Sequence, residues 1–335
     1  MKFRGRVLSV VLGASIMALA ACGGGNSSEP TANDGGTTGG DNSNETPTEE
    51  VEEVEEAELP SGTLQIRGSD TMVNLGQALA EYYMDNVNEG AGLAVTGGGS
   101  GTGITALINN DVDIAQSSRA IKEEEIELAA ENGVDVHEFV VGQDGVAVAV
   151  NPENPITEMT IGQLKDIFTG VVTDWSELGW EDGGEISVYS RQSNSGTYVF
   201  FNEVVMDTED FGAGAKFMPG TSAIKEAIEQ EVNAIGYIGV GYVDDNVTAL
   251  EVALDENSEY FSPLDKANVA SGDYPVARPL FFYTNGSPEG LVLHYLTWVL
   301  QDADATAQVE ATGFFEIGAY QEDNKKVYSD LGIDW

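Results

Sequence analysis

The sequence predicts an α/β protein of two lobes, and three observations predict it. Short β-rich runs alternate with amphipathic stretches of helical period beyond residue 61, the pattern of βαβ units. Two long extended runs, 140–150 and 276–283, stand where a chain would cross from one lobe to another and later return. The length, 335 residues, suffices for two domains of about 150 residues each. No fixed-period repeat breaks this reading.

The elements follow in order. Residues 63–67 read as a strand, and 71–87 as a helix with Leu75, Leu79 and Tyr82 on one face. A strand at 93–96, a helix at 104–109, a strand at 112–115 and a helix at 122–131 come next. After the first crossing, Thr160 caps a helix running through Phe168. A strand at 186–189, helices at 196–206 and 221–231 and a strand at 234–238 build the second lobe. The second crossing returns the chain, and a helix at 289–301 closes the fold. The sheets are expected to be largely parallel. The expected division is 1–22, 23–60, 61–142 with 277–335 as lobe 1, and 143–276 as lobe 2.

The N-terminus reads as an address. Lys2, Arg4 and Arg6 precede an apolar run from Val7 to Ala18, then Leu19-Ala20-Ala21-Cys22. A basic start, a short apolar core and small residues before a cleavage point describe a secretory signal. Leu-Ala-Ala-Cys looks like a bacterial lipobox, so Cys22, the single cysteine, is expected to carry the lipid of a mature lipoprotein. Acyl chains contribute about 0.8 kcal/mol per buried CH₂, enough together for a durable anchor. Residues 23–60 hold 11 carboxylates and no basic residue, so they read as a disordered, self-repelling tether. The expected location is extracytoplasmic, in a periplasm or on an outer cell surface, with Gly23 compatible with outer-membrane sorting.

Charge and composition exclude several classes. The chain carries 57 acidic and 14 basic residues, a formal charge of −43, which argues against nucleic acid as a partner. One cysteine and two histidines rule out Cys₄ or Cys₂His₂ zinc sites and make a Ser-His-Asp triad a poor fit. No metal or cofactor is expected, nor any oligomer, so the chain is read as a monomer. Residues 61–335 alone hold 46 acidic and 11 basic groups, the surface that a saline habitat favours because salt screens self-repulsion.

Three strand-to-helix junctions share one composition: Gly68-Ser69-Asp70-Thr71, the run from Gly97 to Gly103 (Gly-Gly-Gly-Ser-Gly-Thr-Gly), and Ser193-Asn194-Ser195-Gly196-Thr197. A helix N-terminus offers unpaired N–H groups and a partial positive charge, so it receives an anion. Glycine permits close backbone approach, and Ser or Thr adds a neutral donor. Each junction alone is explained by helix capping. The glycine run lacks a following Gly-Lys-Ser/Thr and is no nucleotide P-loop, and it lacks the Gly-x-Ser-x-Gly elbow of serine hydrolases. Arginine is scarce. Beyond the signal only Arg67, Arg119, Arg191 and Arg278 remain, with Arg191 just before one junction and Arg119 just after a neighbouring strand. Their planar donors suit an oxyanion, and an ion pair in an acidic protein is the alternative use.

Four motifs in this order, Gly68-Ser-Asp-Thr-Met72, the glycine run, Asp113-Ile-Ala-Gln-Ser-Ser-Arg119 and Arg191-Gln-Ser-Asn-Ser-Gly-Thr197, resemble the PstS-type phosphate-binding proteins of bacterial phosphate ABC importers. The resemblance runs from about Leu64 to Tyr328 and includes residues 160–170 and Ala234-Ile-Gly-Tyr237. It implies a type II periplasmic-binding-protein fold, with two α/β lobes joined by two crossing strands and the ligand cleft between them. It implies that Thr71, the Met72 amide, Ser100 and Gly101 donate to phosphate from the first lobe. Arg191, Ser195, Gly196 and Thr197 would donate from the second. In another branch of the family an aspartate accepts the proton of the bound phosphate. That place here is Ser118, followed by Arg119, which leaves Asp70 as the expected acceptor. The implied function is a lipid-anchored receptor that captures inorganic phosphate and delivers it to a membrane permease. Other readings are a receptor for arsenate, sulfate or molybdate, and a surface sensor or adhesin without transport. A phosphatase would need the metal cluster that this composition does not supply.

Overall fold

The computed structural model describes residues 58–335. The readings of the signal, of Cys22 and of the tether up to residue 57 lie outside the described residues.

In chain order the elements are β1 (Gly62–Gly68), α1 (Val73–Tyr82), β2 (Ala91–Thr96), α2 (Ser100–Ile108), β3 (Ile114–Ser117), α3 (Glu123–Glu131) and the long β4 (Val136–Val150). Then come β5 (Glu158–Thr160), α4 (Ile161–Thr169), β6 (Ser187–Arg191), α5 (Gly196–Val204), β7 (Lys216–Met218), α6 (Thr221–Gln230) and β8 (Ala234–Gly239). The chain closes with β9 (Thr248–Ala249), β10 (Glu251–Ala253), α7 (Lys266–Ser271), β11 (Ala277–Asn285), α8 (Gly290–Gln301), α9 (Ala303–Ala311) and α10 (Gln321–Asp330).

The main sheet runs β2-β1-β3-β11-β4-β8-β6-β7. Its flanks are parallel, β1 with β2 and β3, and β6 with β7 and β8. Its centre is antiparallel, where β11 pairs with β3 and β4, and β4 with β8. The sheet is therefore mixed rather than largely parallel, because the two crossing strands run in opposite directions. β4 changes partner along its length. Residues up to Gly145 pair with β11, and Val146–Val150 pair with β8. One strand thus belongs to both lobes.

Strand period divides the core of the second lobe. Ala147, Ala149 and Ile238 face one apolar cluster, which also holds Leu64, Ile66, Leu75 and Phe282 of the first lobe. Val146, Val148, Val150 and Tyr237 face another, with Phe168, Trp175 and Phe201. Helix starts follow their sequence signals. Thr160 accepts a hydrogen bond from Gln163 N while the Gln163 side chain returns to the Thr160 amide, a capping box. Gly170 ends the same helix in the left-handed region at φ +80°.

α2 departs from expectation. It begins at Ser100, four residues before the expected start, so Ser100 to Gly103 form its first turn. Two glycines, poor helix formers, conceal that turn in the sequence. Packing requires one of them: a Cβ on Gly103 would lie 2.6 Å from Gly68 Cα of β1. β4 likewise begins at Val136 rather than residue 140. α7, α9 and α10 are absent from the sequence reading, as are the short strands β5, β7, β9 and β10.

Candidate functional site

The three junctions meet at the carboxyl ends of parallel strands, where open α/β sheets gather ligands. β1 ends at Gly68, β2 leads through three glycines into α2, and β6 ends at Arg191 ahead of α5. β3 delivers Ser118 to the same place.

The first lobe contributes a chain of hydroxyls. Ser69 Oγ donates to Ser118 Oγ at 2.9 Å, and Ser118 N donates to Ser100 Oγ at 3.1 Å. Ser69, Thr71, Ser100 and Ser118 are all buried. The second lobe presents the start of α5. Ser195 caps that helix by accepting from Tyr198 N at 3.4 Å. The Gly196 and Thr197 amides are its first two and have no acceptor within the helix. Across the cleft Thr71 Oγ1 and Thr197 Oγ1 lie 2.7 Å apart. A Cβ on Gly196 would collide with the Ser100 hydroxyl and come within 2.9 Å of Ser118 Oγ. Only glycine allows the lobes this approach.

Arg191 is nearly wholly buried and reaches across the cleft. Its Nη2 donates to Asp70 Oδ2 at 2.6 Å, and its Nη1 to Thr221 Oγ1 at 2.9 Å. Burial pulls the guanidinium below its ordinary value and the Asp70 carboxylate opposes that shift. Asp70 Oδ1 also accepts from Gly98 N at 2.8 Å, and Tyr242 donates to the Asp70 carbonyl at 2.8 Å. Burial first, then Asp70, pushes the Tyr242 phenol up to about 12, so it stays a donor. A second buried pair lies behind the site. Arg278 Nη2 donates to Asp144 Oδ2 at 2.7 Å and to Thr197 Oγ1 at 3.0 Å. Two arginines thus face two aspartates, and the site's charge is balanced. Hydroxyls and helix-start amides are left to meet an incoming anion. Arg191 Nε and Arg278 Nη1 are buried without a partner among the described residues.

The expected residues divide accordingly. Asp70, Thr71, Ser100, Ser118, Arg191, Ser195, Gly196 and Thr197 are brought together. Met72 and Gly101 lie beside them with their amides committed elsewhere: Met72 N donates to Ser69 O at 3.2 Å, and Gly101 N to Asn194 O at 3.0 Å. The Met72 side chain is in the core, since the turn that places Thr71 aims its neighbour inward. Arg119 makes a two-pronged ion pair with Glu125 at 2.8 and 2.7 Å, the structural use anticipated for a scarce arginine. Ser69, Asn194, Thr221, Asp144 and Arg278 were not singled out for the site. Only the scarcity of arginine marked Arg278. Among the described residues no cluster of three or more His, Cys, Asp or Glu is arranged to hold a metal ion.

Residues 53–303 match the family model described as a PBP superfamily domain. The phosphate-binding protein PstS of Staphylococcus epidermidis is 31% identical over 308 residues, covering 90% of this chain and 85% of the relative. PstS of Bacillus subtilis is 30% identical over 321 residues, covering 95% of each. Among solved structures, a substrate-binding protein of the phosphate ABC transporter type with bound phosphate, from Clostridium perfringens, aligns with a TM-score of 0.68 at 28% identity. It covers 76% of this chain and 100% of that one. An ABC-type phosphate transport receptor from Vibrio cholerae aligns with a TM-score of 0.59 at 27% identity, covering 75% of this chain and 99% of that one. The fold, the family model and these relatives agree: the chain belongs to the PstS family of phosphate-binding proteins within the PBP superfamily.

Proposed function

We propose that this chain is an extracytoplasmic receptor that captures inorganic phosphate between its two lobes and delivers it to an ABC importer. The observation that carries the reading is the meeting of Thr71 with Thr197 across the cleft, ringed by Ser100, Ser118 and Arg191. In this reading Thr71, Ser100, Ser118 and Thr197 donate hydroxyls to phosphate oxygens. The start of α5 supplies the Gly196 and Thr197 amides, and Arg191 faces the anion while paired with Asp70. Asp70 accepts the proton of the bound phosphate, which sulfate lacks. Leaving that carboxylate opposed by an unprotonated oxygen costs about 1–3 kcal/mol, and more for charged groups. Met72 and Gly101 hold the two loops through their amide bonds to Ser69 O and Asn194 O, and Arg119 stays paired with Glu125.

The lobes are taken to divide as 61–142 with 277–335 against 143–276. The change of partner in β4 near Gly145 and the start of β11 at Ala277 support that division. Cys22 carries a lipid anchor in this reading, and the receptor acts as a monomer on a membrane permease. Equilibrium dialysis of the ligand-free full chain with radiolabelled phosphate tests the capture step. One phosphate per chain, displaced by arsenate and not by sulfate or molybdate, is expected. Absence of retained phosphate would overturn the reading.

A further inference from the structure

We propose that Arg278 is a positioning residue that turns the Thr197 hydroxyl into a dedicated hydrogen-bond donor toward the captured anion. The proposal rests on the phosphate reading and deepens it.

Arg278 lies on β11 directly opposite Asp144 of β4, next to the point where β4 exchanges β11 for β8 as its partner. The pair is fully buried, with side chains 1% and 0% exposed. Three contacts fix the guanidinium. Nε and Nη2 both donate to Asp144 Oδ2, at 3.0 and 2.7 Å, and the group lies over the Phe200 ring at 5.3 Å. Asp144 is itself held, because its Oδ1 accepts from Val240 N at 2.9 Å. From this anchored position Nη2 also reaches Thr197 Oγ1 at 3.0 Å.

The chemistry of the two groups decides the direction of that bond. A guanidinium has five N–H donors and no acceptor, whereas a hydroxyl has one donor and two acceptor positions. Thr197 must therefore accept from Arg278, and its single proton points away from the guanidinium, free to be given to an acceptor in the cleft. Thr71 Oγ1 lies 2.7 Å away there, and either of the two hydroxyls can donate to the other. A hydroxyl that accepts from a charged donor is polarised into a stronger donor itself. The hinge strands, and not the anion-facing helices, set the polarity of this hydroxyl. Asp144 cancels the charge of Arg278, so the device orients a dipole without adding charge to the site.

A double-mutant cycle on the full chain tests this. In the wild type, T197V should weaken phosphate binding about tenfold or more, as for loss of a hydrogen bond to a charged group. T197S, which keeps the hydroxyl, should stay within about threefold. In the D144N/R278Q background the buried charges leave together, a replacement that folded proteins tolerate. There T197V should cost less than about threefold. D144N/R278M, which keeps an acceptor for Val240 N and puts no donor beside Thr197, provides a second background with the same expectation should the first fail to unfold cooperatively. An undiminished cost of T197V in either folded background would overturn the proposal, since a purely structural Arg278 leaves the two effects additive. A wild-type chain that binds no phosphate would overturn the capture reading, and this one with it. Phosphate binding without coupling would overturn this proposal alone.

Discussion

At the residue scale the site is a balance of donors against one carboxylate. Asp70 is gripped by Arg191 and by the Gly98 amide, each of which donates to one of its oxygens. Asp70→Asn removes the charge that repels a fully ionised ligand. It is expected to weaken phosphate binding about tenfold while narrowing the preference over sulfate. Titration calorimetry with both anions reads this, and an unchanged ratio would remove Asp70 as the discriminator. Arg191→Ala strips a buried donor and leaves Asp70 held by a single amide. A loss of about a hundredfold in phosphate affinity is expected, and an unchanged dissociation constant would place Arg191 outside the site. The convergence of these residues was legible in the sequence, because three junctions of like composition stand at strand ends and the four motifs occur in order. Arg278 was not legible. Its part depends on the register that sets it opposite Asp144, and register is a property of strand pairing.

At the scale of elements, closure depends on backbones that approach without side chains. Gly99 adopts φ +92°, and a Cβ there would lie 2.6 Å from Asn194 O of the opposite lobe. Gly196 meets Ser100 and Ser118 in the same way. Gly196→Ala is therefore expected to lower phosphate affinity by about a hundredfold with little change in the unfolding temperature of the ligand-free chain, since the lobes can part to relieve the clash. Calorimetry beside thermal unfolding separates the two effects. A variant that binds as tightly as the wild type would show that the lobes do not close this far. The crossing strands and the helices other than α7, α9 and α10 were legible from period and from the length of their apolar runs. The early start of α2 was not, because its glycines are chosen for packing against β1 and not for helix propensity.

The Arg119–Glu125 pair also belongs to this scale. Burial alone would raise the Glu125 carboxyl, but Arg119 and the Lys122 amide outweigh it and hold the group below its ordinary value. A carboxylate depressed in the folded state stabilises the fold above the ordinary carboxylate range, and that stability is lost as pH falls through it. Glu125→Gln should therefore lower the unfolding temperature near neutral pH and make little difference in acid, as paired unfolding curves would reveal. An equal effect at both pH values would contradict a Glu125 carboxyl held low by Arg119.

At the scale of the whole molecule, an acidic chain of formal charge −43 is proposed to bind an anion. The conflict dissolves once distance is considered. The diffuse field is screened within about 10 Å in 0.1 M salt, while hydroxyls, helix-start amides and arginines act at contact range inside the cleft. The same charge predicts that salt raises the unfolding temperature of the full chain. A midpoint that failed to rise between low and molar salt would contradict a surface tuned to saline surroundings. The N-terminal reading has its own check, for Cys22→Ser should abolish incorporation of labelled fatty acid and release the protein from membranes.

The central claim is that phosphate is captured where Thr71 and Thr197 converge. A crystal structure of the full chain grown with phosphate tests it most directly. One phosphate is expected there, enclosed by the Thr71, Ser100, Ser118 and Thr197 hydroxyls and the start of α5, with Arg191 still paired to Asp70. Phosphate bound elsewhere, or lobes that close without enclosing it, would contradict the account.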